Sequence, residues 1–144
     1  MILIIRRKWA QGGTRFNARG IDDEGNVANQ CESEFLVFKH SILDTPQKVN
    51  DGESVISTTE IFSHVQVRGS MPFFWEQSGV KTIQISRPLE TTIPAFKLHF
   101  DDLRQTFNDG QVFSLNLVTP NSSMERLLLE SYEKLLNKSG YKKE

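Results

Sequence analysis

The stretch AQGGTRFNARGIDDEGNVANQCESEFLVF, residues 10–38, decides how the chain is read. Two strand-like runs, TRFNARGI and NVANQCESEFLVF, flank DDEG, a turn cluster of the kind that closes antiparallel pairs, so a β-hairpin is predicted here. Gly12, Gly13, Gly20 and Gly25 supply backbone freedom, and Arg15 and Arg19 set fixed positive charge beside it. With Arg6, Arg7 and Lys8 these arginines make five cations before the first acid, Asp22. Such a run reads in two ways, as a solvated basic strand surface or as an anion site.

Outward from the hairpin, ILIIRRKW (2–9) reads as a strand that turns basic. Residues 39–60 are polar, with Pro46 and Gly52, and predict an exposed loop. IFSHVQVRG (61–69) alternates as a strand, SMPFFWEQSG (70–79) reads as a rigid aromatic loop, and KTIQISR (81–87) as a further strand. The period then changes. Phe96, Phe100, Leu103 and Phe107 form one stripe of a helix that starts near Pro94 and stops at NDG, 108–110. VFSLNLV (112–118) predicts a short strand. SSMERLLLESYEKLLNKSG (122–140) predicts a second helix, with Ser122 and Glu125 at capping-box spacing and Gly140 as its stop.

This order predicts an α+β (α/β-like) fold: a mixed β-sheet with an N-terminal hairpin region and two C-terminal amphipathic helices. The chain stops four residues after Gly140, where a strand–helix unit normally returns to its sheet. An incomplete architecture is therefore expected, with an open sheet edge, a leucine face (Leu127, Leu128, Leu135, Leu136) short of cover, and self-association.

A length of 144 residues suits one domain, and 38% hydrophobic with 24% charged residues fits a globular chain. The net charge of −1 gives no argument for a nucleic-acid partner. MILII before RRK is too short for a signal segment or a membrane span, so a cytoplasmic location with only peripheral membrane contact is expected. A single cysteine, Cys31, excludes an internal disulfide and suits a reducing compartment.

There is no G-x-x-x-x-G-K-[ST], no H-E-x-x-H and no cysteine pair, and His40, His64 and His99 are scattered. No metal and no cofactor are expected. As the nucleophile of a C-x5-R loop Cys31 fails, because the sixth residue beyond it is Val37 and the flanking Glu32 and Glu34 disfavour a thiolate. Glu32 and Glu34, two apart on a strand, share a face and read as cross-strand partners for the basic strands.

Two blocks carry a resemblance. GGTRFNARGIDDEGNVANQCESE holds Gly13, Arg15, Arg19, Gly20, Asp22, Gly25, Asn29, Glu32 and Glu34; HVQVRGSMPFFWEQ holds Arg68, Gly69, Ser70, Pro72, Trp75 and Gln77. In these blocks the sequence resembles the Sac-domain phosphoinositide phosphatases, in their synaptojanin-like branch. PAFKLHF and VFSLNLV also resemble that family's next helix and strand. The resemblance implies a partial Sac catalytic domain over residues 1–144, related to lipid metabolism and membrane trafficking. The parent activity would be hydrolysis of phosphate monoesters on phosphatidylinositol phosphates. It covers only the first half of the family's catalytic domain, without the amino-terminal subdomain or the downstream C-x5-R loop, so the chain itself is expected to be inactive.

The resemblance also places Arg19 and Arg68, with Arg15, at a phosphoinositide headgroup, and gives structural roles to Gly13, Gly20, Gly25, Asn29, Glu32, Glu34, Gly69, Pro72 and Trp75. Arginine forks suit phosphate oxygens. The competing reading has these arginines paired internally with Glu32, Glu34 or Asp22. At the level of the whole chain, the alternatives are a non-catalytic Sac-like module for anionic lipid or a protein partner, and a stray gene fragment.

Overall fold

The computed structural model describes residues 1–14, 18–42, 47–49, 52–54, 57–79 and 82–141. Among these residues seven strands and two helices follow one another: β1 (Ile2–Arg7), β2 (Cys31–Ile42), β3 (Gln47–Val49), β4 (Gly52–Ser54), β5 (Ser57–Arg68), β6 (Trp75–Ser78), β7 (Thr82–Ile85), α1 (Leu89–Thr106) and α2 (Ser123–Ser139). The class is α+β. The chain divides into two compact units, one of residues 1–6 and 31–67, the other of residues 7–30 and 68–144.

The first unit is a three-stranded sheet in the order β1-β2-β5, with the small antiparallel hairpin β3–β4. Glu32 and Glu34 share a face of β2, and Arg6 bridges both from β1 at 2.7 and 2.9 Å. Ser63 of β5 donates to Glu34 at 2.9 Å, and Lys39 pairs with Glu60 at 3.0 Å. Exposed pairs like these are screened by solvent and add little to stability, so they serve register more than stability. Among the described residues of this unit only Cys31 is buried; Ile5, Ile61 and Phe62 are more than half exposed.

Of residues 39–60, expected as a loop, the described ones, 39–42, 47–49, 52–54 and 57–60, are strand, and the others lie outside the described residues. β2 runs on to Ile42, β5 begins at Ser57, and β3–β4 lies between them with Val49 opposite Gly52. Polar strands are normal where a sheet faces solvent, so polarity alone was a poor loop signal.

The core lies in the second unit. Ile21, Val27, Phe74 and Ala95 form a buried cluster. On another side of α1, fully buried Phe96 meets Phe100 at 4.9 Å, Tyr132 at 6.0 Å and Tyr141 at 6.1 Å between ring centroids. α2 starts as its sequence indicates: the Ser122 hydroxyl accepts from Glu125 N–H at 3.2 Å, and Gly140 takes the left-handed conformation at φ 85°. Lys138 near its end pairs with Glu90 at the start of α1. Of the four leucines, Leu128 and Leu135 are buried, Leu136 is half-buried and Leu127 is 39% exposed.

Four further expectations change here. Helix α1 begins at Leu89, so Pro94 lies inside it rather than at its start. A proline in the second turn removes one intrahelical bond and is tolerated more readily there than further in. The first turn is held instead by Thr91 and Thr92, whose hydroxyls donate to Pro88 O at 2.8 and 3.2 Å. The aromatic loop is shorter than expected, because Trp75–Ser78 pairs antiparallel with Thr82–Ile85.

VFSLNLV forms no strand with any described residue; Phe113, Leu115 and Leu117 are 75%, 83% and 82% exposed. Its alternation is strand-like, but α2 takes the polar side, with Ser114 bonded to Tyr132 at 2.6 Å. Among the described residues the N-terminal hairpin contracts to a single antiparallel bridge, Ile21 to Val27, with residues 15–17 of its first run outside the description. Inside the bridge the Asp22 carboxylate accepts from Glu24 N–H at 3.1 Å and Asn26 N–H at 2.7 Å. Outside it Gly20 N–H goes to the Ser70 hydroxyl and Asn29 turns into the left-handed region at φ 56°, so the backbone groups of a further rung are taken elsewhere.

Candidate functional site

The two sequence blocks interlock inside the second unit. Gly20 N–H donates to the Ser70 hydroxyl at 2.8 Å, Ala28 N–H to Gly20 O at 2.9 Å, and Ser70 N–H to Ala28 O at 3.0 Å. Gly20 has φ +75°, and a Cβ there would stand 2.6 Å from Phe73 O, so both conformation and space require glycine. Gly69 lies against Val27, where a Cβ would come within 2.6 Å of a side-chain methyl. Pro72 and Trp75 are buried, and the indole N–H donates to Met71 O at 3.3 Å.

Asn29 clamps the first block. It sits at φ 56°, its side-chain oxygen accepts from the Arg7 guanidinium and from Gly13 N–H at 3.4 Å, and its amide donates to Ala18 O at 3.3 Å. The turn at Gly25 is held by α1: a Cβ at Gly25 would lie 2.9 Å from His99 N, and His99 Nδ1 bonds Gly25 O at 3.2 Å. Burial pushes the His99 imidazole down to about 4, so it is neutral near pH 7 and donates from Nδ1. Arg87 finishes the turn. It forms a two-pronged ion pair with Asp23 at 2.6 and 3.1 Å and lies 3.9 Å over the Phe74 ring. That hydrogen bonding holds the Asp23 carboxyl below its ordinary range.

On this scaffold Arg19 is half-buried; its Nε donates to Gln77 Oε1 at 3.0 Å and its guanidinium stands 5.6 Å from the Trp75 ring centre. Arg68 is exposed at the end of β5, and its side chain makes no hydrogen bond or ion pair among the described residues. Arg15 lies outside the described residues. The acids weighed as internal partners are engaged elsewhere, Glu32 and Glu34 by Arg6 and Asp22 by its own turn. Cys31 is buried, and the described residues hold no cluster of metal-ligating side chains. A depression of about 330 Å³ at the start of α2, lined by Asn121, Ser122 and Arg126 among others, contains none of the motif residues.

Sequence reasoning passed over Gln77, Ser70, Arg7 and Arg87 as partners. Gln77 and Ser70 were visible inside the second block. Arg87 gave no signal, since its partner Asp23 lies 64 residues away.

The SacI homology domain model matches residues 1–144. Polyphosphatidylinositol phosphatase INP53 of Saccharomyces cerevisiae is 35% identical over 126 residues, 85% of this chain and 10% of its own length. Inositol-1,4,5-trisphosphate 5-phosphatase 1 of Schizosaccharomyces pombe is 42% identical over 132 residues, 89% and 10% of the two chains. Synaptojanin-1 of Homo sapiens is 33% identical over 143 residues, 96% and 8% of the two chains. The chain belongs to the SacI homology domain family, in its synaptojanin-like part, and spans about a tenth of the length of the curated relatives it matches. No helix of the described residues is long and apolar enough to cross a membrane.

Proposed function

We propose that these 144 residues are the headgroup-facing, non-catalytic portion of a phosphoinositide phosphatase's Sac domain. In this reading Arg68 and Arg19 meet phosphate oxygens of an inositol lipid, and a thiolate outside these residues performs the displacement. The observation that carries it is the interlock of the two blocks, which fixes Arg19 against Gln77 and Trp75 while Arg68 stays exposed without an acidic partner among the described residues. Exposed guanidinium groups beside glycine-rich backbone suit phosphate recognition.

Two outcomes are expected. Purified chain should release no phosphate from phosphatidylinositol phosphates above a blank, because its one cysteine is buried and has Val37 at the arginine position of a C-x5-R loop. Turnover that Cys31→Ser abolishes would contradict this. Arg68→Glu should weaken binding to phosphoinositide vesicles by about tenfold, the scale of a lost charge-assisted hydrogen bond, and binding should fall as salt rises. Unchanged binding with intact folding would remove Arg68 from the headgroup site.

A further inference from the structure

Trp9 is 92% exposed, the highest value among the exposed large hydrophobic side chains described. The turn that carries it is nonetheless firmly held. Lys8 N–H donates to Gln30 O at 3.0 Å, Gly12 N–H to Trp9 O at 3.2 Å, and Asn29 N–H to Gln11 O at 3.2 Å. Gln11 itself is in the left-handed region at φ 53°. Two residues earlier in the chain, the exposed Arg7 has its guanidinium on two neutral acceptors, Gly13 O at 2.7 Å and the Asn29 side-chain oxygen. Neither offsets its charge. Lys8, by contrast, faces Asp102 at 3.3 Å, and Asp22 reaches Gln11 at 3.4 Å.

An indole has an apolar body and a polar N–H, the combination that settles at the boundary between lipid headgroups and acyl chains. A guanidinium at the end of the strand leading into the turn matches a lipid phosphate. A turn already ordered loses little freedom on insertion, which favours association. We propose that the Trp9 turn is a membrane anchor: the indole enters the interface of a phospholipid bilayer while Arg7 meets a lipid phosphate. The proposal rests on the reading of the chain as part of a lipid phosphatase, but it uses residues other than Arg19 and Arg68. Asp22 and Asp102 keep the local charge near balance, so the anchor takes zwitterionic as well as anionic phospholipid.

Tryptophan fluorescence of the full chain tests it, since the second tryptophan, Trp75, is buried. Vesicles of phosphatidylcholine, with and without phosphatidylserine, should shift the emission to the blue, and brominated lipid should quench it. Trp9→Phe should remove both responses, and Trp9→Ala should lower vesicle partitioning by about tenfold, as loss of one large interfacial side chain implies. Vesicle binding with unchanged, unquenched Trp9 emission would overturn the anchor. So would no binding at all, or a blue shift that brominated lipid does not quench, which would indicate contact with another copy of the chain. Binding of soluble inositol trisphosphate separates the two readings. Insertion without headgroup binding removes the arginine site alone, and headgroup binding without insertion removes the anchor alone.

Discussion

Replacing Phe96 with alanine is expected to destabilise the chain by about 3–5 kcal/mol, the range for emptying a buried aromatic position. Phe96 is fully buried and touches three aromatic rings, two of them outside α1: Tyr132 of α2 and Tyr141 beyond its end. One turn of α1 therefore serves two contacts, because neighbouring Ala95 packs into the cluster with Ile21, Val27 and Phe74. Loosening α1 disturbs the helix pair and the Gly25 turn that His99 holds. Domains of this size have net stabilities of only about 5–15 kcal/mol, so the variant should stand near the limit of folding. Urea melts give the comparison, with Leu117→Ala as the control at an 82% exposed site. If the two variants lost similar stability, α1 and α2 would not share a core.

Acid should weaken the fold well before its carboxylates protonate. His99 is 8% exposed, and burial lowers its imidazole from the ordinary 6.5 to about 4. Between those values the unfolded chain binds a proton that the folded chain refuses, so stability rises with pH across the window. It is fully present above 6.5 and is lost progressively as pH falls toward 4. At about 1.4 kcal/mol per unit the loss is on the order of 3 kcal/mol. Asp23, Glu34 and Glu90 also have lowered carboxyls, held by Arg87, by Arg6 and by Lys138 respectively. Their contribution fades only at the acid end, below the usual carboxylate values, so the upper part of the slope belongs to His99. His99→Gln should flatten that part of a plot of urea midpoint against pH. A wild-type midpoint constant from neutral pH down through the window would mean that His99 titrates freely in the folded chain.

Local chemistry made α2 legible in advance. Its cap, its stripe and its stop all lie within nineteen consecutive residues, Ser122 to Gly140. Features that depend on distant partners were harder to read. Pro94 suggested a helix start because proline favours first turns, whereas the true first turn, with Thr91 and Thr92 on Pro88 O, reads as loop. VFSLNLV shows the same limit: alternation specifies which residues share a face but cannot supply the neighbouring strand. For the site, both blocks and their arginines stood out in the sequence. The bond between Gly20 and Ser70, fifty residues apart, did not. Glu32 and Glu34 read as cross-strand partners of the basic strands and are so, but which cation would take them, Arg6, was not legible. Knowing which cation takes an acid requires knowing which strand lies beside it.

The proposal that the interlocked blocks form a phosphate-facing surface is tested most directly by backbone NMR shifts on titration with soluble inositol trisphosphate at low salt. The largest shifts should fall on Arg19, Gly20, Arg68, Gly69 and Ser70, and Arg68→Glu should suppress them. Shifts confined to the start of α2, around Asn121 to Arg126, or none at saturating ligand, would contradict it.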